Sequence, residues 1–248
     1  MPAAPAADAP QTAQQIRECA RNNFPRQTSV QDLAMIAHDR SGGQRTLQAK
    51  MYWRLDDGGY NNVMIRVSTP NDLSGSSYLV LERSDRDDMF MYLPALDRVR
   101  RIVGGMRDKP LWGTDLSYED IKHLQGVAVA GTLKRLDDGK VAEREVYVIE
   151  SVYAPDDESP YGRVISHVDK KTCVPLQADF FDKTDEAVKR LTVQHDTLVE
   201  KDGRWRMRDL KMQDLHNQTY TDLKLQEIES DEEISGRVFS THGFHLGG

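Results

Sequence analysis

The chain has 248 residues, with 33 basic side chains against 40 acidic ones and a net charge of -7. Its Lys and Arg are dispersed among the acids, which argues against the clustered basic surface that nucleic acids require. A hydrophobic content of 38% and a mean hydropathy of -0.64 fit half-exposed, one-sided strands, and no apolar run reaches the roughly 18 residues of a membrane-crossing helix.

Residues 1–11 form a Pro/Ala-rich tail without the charged start or apolar stretch of a secretory leader. Two readings stand at this point: a soluble cytoplasmic protein with a loose tail, or a mature chain whose leader has been removed. Residues 12–248 are read as one domain, a length that all-β barrels and sandwiches use. Cys19 and Cys173 are the only two cysteines; they permit one disulfide, with two buried free thiols as the alternative. Cys19 is not a lipid-modified N-terminal residue here, because Arg17 and Glu18 precede it.

The first predicted element is a helix from Thr12 to about Asn22, stopped by Asn23 and Pro25. Strand signals then dominate. Leu47, Ala49, Met51, Trp53 and Leu55 alternate with polar neighbours, and Val63, Ile65 and Val67 continue the period of two. Further runs cover 78–83, 89–93, 98–102, 127–136, 141–153, 163–169, 176–181, 188–200, 205–212 and 220–228. Asp56-Asp57-Gly58-Gly59, Asp137-Asp138-Gly139-Lys140 and Lys201-Asp202-Gly203-Arg204 lie between such runs and predict hairpin turns. A second helix is expected near 115–125, its start marked by Thr114 and Asp115, with Glu119 and Asp120 near the positive end of its dipole. A last turn is expected at 231–235. The fold class is therefore mainly β (α+β): a large, curled antiparallel sheet covered by a few helices. Too few helices remain to fill a curled sheet of roughly ten strands, so a ligand cavity and a core filled by large side chains such as Trp53, Trp112 and Trp205 both stay open.

Catalytic chemistry finds little support. There is no Gly-x-Ser-x-Gly elbow, and Gly104-Gly105 lacks the Lys and hydroxyl of a phosphate loop. His38-Asp39 and His195-Asp196 are sequence neighbours, which on a strand point to opposite faces. His242 and His245 lack a third ligand at fixed spacing, so no metal and no cofactor are expected. Met51, Met64, Met89, Met91 and Met106 are adaptable apolar residues that serve equally as core filler or as a surface for acyl chains.

The segment MFMYLPALDRVRRI (89–102) followed by GTDLSYED (113–120) resembles the LolA-like family of outer-membrane lipoprotein-sorting proteins. Both blocks stand in order at short spacing; elsewhere, over about 29–225, the resemblance is one of strand pattern. It implies an incomplete, curved antiparallel barrel, LolA/LolB-like, with helices as a lid over an apolar cavity. It also implies a monomeric, non-enzymatic periplasmic carrier of lipid or lipoprotein acyl chains. An inner-membrane RND-type exporter and an outer-membrane acceptor are the implied partners. In that oxidising compartment a Cys19–Cys173 disulfide is plausible, and the Pro/Ala start reads as the region after a removed leader. The expected cavity lining is Met51, Trp53, Val63, Ile65, Val67, Met89, Met91, Leu93, Val146 and Val148, rows that a plain core would use as well. Arg98, Arg100 and Arg101 are assigned no gating role; the alternative for them is to hold the second helix through Asp115, Glu119 or Asp120. The competing reading is an exporter-associated adaptor without lipid cargo, and a hydrolase on the same scaffold comes last.

Overall fold

A computed structural model describes residues 11–84, 87–124, 131–230 and 233–246. The first helix, α1 (Ala13–Arg21), begins at a capping box: Thr12 Oγ1 accepts from the Gln15 N–H at 3.2 Å, and Gln15 Oε1 accepts from the Thr12 N–H at 2.8 Å. Six strands follow: β1 (Thr28–His38), β2 (Gln44–Leu55), β3 (Asn61–Thr69), β4 (Ser77–Leu81), β5 (Asp88–Leu93) and β6 (Arg98–Arg101). The helix α2 (Tyr118–Leu124) separates them from β7 (Gly131–Val141), β8 (Arg144–Tyr153), β9 (Tyr161–Asp169), β10 (Pro175–Asp182) and β11 (Ala187–Val193). The small hairpin β12 (Val199–Lys201) and β13 (Arg204–Arg206) precedes β14 (Asp209–Asp214) and β15 (Thr219–Ser230).

Thirteen of these strands form one antiparallel sheet in the order β6-β5-β4-β3-β2-β1-β15-β14-β11-β10-β9-β8-β7. The sheet is not closed into a barrel: β6 and β7 are its two free edges. They are also consecutive in sequence, so the chain between them must travel from one edge to the other. It does so across the concave face, carrying α2 with it. The register runs the apolar rows of that face through the whole sheet; Val63 opposes Trp53, Ile65 opposes Met51 and Tyr78, and Leu223 opposes Met35 and Leu210. On the reverse face the C-terminal segment lays Val238, Phe239 and Phe244 against Met64, Leu79 and Leu81.

Several expected strands and turns differ from the structure; the run 205–212, for one, is divided between β13 and β14. Asp137-Asp138-Gly139-Lys140 is not a hairpin tip; it lies inside β7, where the register shifts between Leu136 and Gly139. Asp138 is held there by Arg135 at 2.6 Å and Lys170 at 2.8 Å, and the turn falls at 141–144, with Ala142 at φ 51°. The run 188–200 is likewise two strands, split by a short helical turn at His195–Thr197. By contrast, Asp202 (φ 54°) and Gly203 (φ 70°) form the predicted hairpin turn between β12 and β13. The expected turn at 231–235 falls partly outside the described residues, as do Gln125 and residues 127–130.

Cys19 and Cys173 are joined, with Cα atoms 5.6 Å apart. The bond ties α1 to the β9–β10 turn across 154 residues of sequence. Replacing both by serine is expected to cost about 2–4 kcal/mol, read as a lower urea midpoint under non-reducing conditions. A loss below about 1 kcal/mol would mean that packing alone holds α1 in place.

Candidate functional site

The centre of the concave face is occupied by α2. Ser117 starts the helix: its Oγ accepts from the Asp120 N–H at 3.2 Å, and Asp120 Oδ2 accepts from the Ser117 N–H at 2.7 Å, a reciprocal cap with Asp in the acidic position. The expected start at Thr114 and Asp115 is therefore displaced. Thr114 Oγ1 caps a preceding turn on the Leu111 carbonyl at 2.8 Å, and Asp115 accepts from the hydroxyls of Thr219 and Thr221 on β15.

Glu119 and Asp120 do more than face the helix dipole, for both are fully buried. Asp120 pairs with Lys189 of β11 at 2.8 Å and accepts from the Tyr161 hydroxyl of β9 at 2.5 Å. Glu119 meets Lys122 at 3.0 Å and Arg107 at 3.4 Å, while Lys122 reaches Asp87 at 2.5 Å and Arg107 reaches Glu158 at 3.2 Å. Burial works against the Asp120 charge, but the Lys189 ammonium and the hydrogen bonds from Lys189, Tyr161 and Ser117 outweigh it and hold the carboxyl below its ordinary range. Burial wins at Glu119, whose pKa is raised despite Lys122 and Arg107. Lys122 loses solvation yet ends with a raised pKa, because Glu119 and Asp87 favour its charge. Arg98 and Arg100 take no part in this network. They are exposed on edge strand β6, and Arg101 pairs with Asp88; the helix is held by Arg107, Lys122 and Lys189 instead.

Beside α2 a cavity of about 210 Å³ lies between α1, the β12–β13 hairpin and strands β8 to β11. Phe24, Leu124, Ile149, Val168, Leu191 and Trp205 supply its apolar wall. Asn23 fastens that wall: its Nδ2 donates to the Thr172 carbonyl and its Oδ1 accepts from the Trp205 N–H, each at 2.9 Å. His123, at the end of α2, faces the cavity and bonds through Nε2 to the Tyr153 hydroxyl. It packs edge-on against Phe180, ring centres 5.3 Å apart. Burial, and next the Lys122 charge, lower its pKa to about 4, so the ring is neutral.

None of the ten residues expected to line a cavity borders this one. Met51, Trp53, Val63, Ile65, Val67 and Met89 are buried on the concave face, where α2 and residues such as Leu111, Leu116 and Ile121 cover them. Met91 and Leu93 are half-buried at the margin of the same cluster. Val146 and Val148 sit on the opposite face of β8 from the cavity-lining Ile149 and Ser151, as the strand period requires; Val148 borders a shallow groove with Leu136 and His167. The expected row and the observed cavity are nevertheless neighbours, because Phe24 stacks on Trp53 at 6.4 Å and Gln31 is paired with Met51.

A family model described as an uncharacterized protein matches residues 59–245, about three quarters of the chain. The chain belongs to that family. A DUF1329 family protein from Desulfovibrio piger superposes on it with a TM-score of 0.82 at 26% identity, covering 92% of this chain and 97% of that one. A crystal structure described as a putative outer membrane lipoprotein-sorting protein domain, from Vibrio parahaemolyticus, gives 0.82 at 22% identity over 94% and 99%. A LolA superfamily protein from Nitrosomonas europaea gives 0.75 at 16% over 93% and 98%; these last two establish the LolA-like fold. No curated protein matches the sequence.

Proposed function

We propose that this LolA-like protein is a periplasmic carrier that shelters the acyl chain of a lipid or lipoprotein between inner and outer membranes. It works by sequestration and not by catalysis. The observation that carries the reading is the cavity of about 210 Å³ with a mainly apolar wall, set in an open half-barrel under α1 and a two-stranded flap. Each methylene moved from water into such a wall contributes about 0.8 kcal/mol, enough for extraction by a single chain yet reversible. The volume lies below the roughly 300–1,000 Å³ of sites that enclose drug-sized ligands. A larger cargo needs more room, and the concave row of Met51, Trp53, Val63, Ile65, Val67 and Met89, with Met91 and Leu93 at its margin, would line it once α2 withdraws. Val146 and Val148, on the other face, would stay outside. In this reading an RND-type exporter is the donor and an outer-membrane protein the acceptor.

Organic extracts of the purified protein should contain lipid by mass spectrometry, and a fluorescent fatty acid should bind. Ser166 borders the cavity, so Ser166→Phe is expected to weaken uptake by about tenfold while circular dichroism stays unchanged. Empty extracts together with no fatty-acid binding would overturn the carrier reading. Exporter binding without lipid uptake would favour an adaptor.

A further inference from the structure

The cavity has a charge pattern that sequestration of a neutral chain does not require. Arg17, Arg21 and Arg206 border it, and no Asp or Glu among the described residues does, in a protein whose net charge is -7. Arg17 and Arg21 stand one turn apart on α1 and so share a face, with Arg21 exposed. Arg206 approaches from the flap and is 6% exposed. Arg17 donates to Gln14 Oε1 at 2.7 Å through one terminal nitrogen, while its Nε is buried with no hydrogen-bond partner among the described residues. Buried donors of this kind are normally satisfied. Deeper in, Ile149, Val168 and Leu191 supply apolar surface, and His123 is neutral and adds no charge of its own.

We propose that the cavity takes a single-chain anionic amphiphile, its acyl chain against Ile149, Val168 and Leu191 and its carboxylate or phosphate head at Arg17, Arg21 and Arg206. The inference rests on the carrier reading and adds the class of ligand. Guanidinium groups bind both kinds of oxyanion through paired N–H donors. Two acyl chains do not fit the observed volume, so a fatty acid or a monoalkyl phosphate is the matching shape.

The test is displacement of radiolabelled dodecanol from the delipidated full chain by laurate, dodecyl phosphate and unlabelled dodecanol. At least one of the two anions is expected to compete at about tenfold lower concentration than dodecanol, and the stronger one identifies the head group. The advantage should shrink at high salt. In the Arg17→Gln/Arg21→Gln variant it should fall below about threefold, with dodecanol unchanged. Equal competition by all three ligands, or an anion advantage that survives the double variant, would refute the head-group site while leaving the carrier reading intact. Failure of the probe and every competitor to bind would remove the carrier reading, and this inference with it.

Discussion

Asp120→Asn is expected to lower stability by about 3–5 kcal/mol, the usual cost of breaking a buried ion pair from one side. The asparagine keeps the shape but leaves the Lys189 ammonium, only 11% exposed, without its counter-charge. It also turns one acceptor of the Tyr161 hydroxyl or the Ser117 N–H into a donor. For a chain of this size the loss corresponds to a fall in Tm of about 10 °C. Adding Lys189→Met should recover part of it, because the stranded charge is gone; the cycle should show at least about 1 kcal/mol of coupling. A loss of under 1 kcal/mol for Asp120→Asn would mean that α2 is held by apolar packing alone. The network would then be incidental to the closed state.

Much of this arrangement is legible in the amino-acid sequence. The alternation of 47–55 and 63–67 and the Asp-Gly turn at 202–203 indicate the sheet, and the blocks at 89–102 and 113–120 point to its LolA-like fold. Three things were not legible, each for a physical reason. Strand β1 hides its period because its inward row begins with the polar Ser29 and Gln31, while the apolar Val30, Ala34 and Ile36 stand on the other face. The side of β8 that faces the cavity could not be read from Val146 and Val148, since the strand buries residues on both faces. The position of α2 depends on topology. Only the placement of β6 and β7 at opposite edges obliges the linking chain to cross the concave face, and only then do Glu119 and Asp120 become interior charges instead of a helix cap.

That crossing also decides what the apolar rows do. A half-barrel with an empty face would expose Met51, Ile65 and Met89; here α2 fills the space, and the apolar cavity lies toward α1 and the flap. Ile65 is therefore a core residue in this state, and placing a charge there would unfold the chain before it reported on cargo. Arg17 and Arg21 are better probes of uptake because they border the cavity from α1 without carrying the sheet, and Ser166 because it is a small, half-buried strand residue on the cavity wall.

His123 gives the protein a predictable acid response. In the folded state its ring stays neutral down to about pH 4, whereas the unfolded chain takes up that proton near pH 6.5. Between those values the unfolded state binds more protons, so stability falls as pH drops. The contribution is fully present above about pH 7, about 2 kcal/mol of it is lost by pH 5, and about 3 kcal/mol is lost below pH 4. Asp120 acts in the same sense at lower pH, since its depressed pKa gives stability that disappears as pH falls below the ordinary value of 3.8. Glu119 acts in the opposite sense: its raised pKa lets the folded state take up a proton first. The His123→Gln variant isolates the imidazole. Its urea stability should lose about 2 kcal/mol less than the wild type between pH 7.5 and pH 5, and equal losses would show that the ring is not buried neutral. His123 is half-buried and borders the cavity, so protonating it puts a charge into the wall that cargo occupies. Fatty-acid release should therefore accelerate over the same pH range in the wild type but not in His123→Gln.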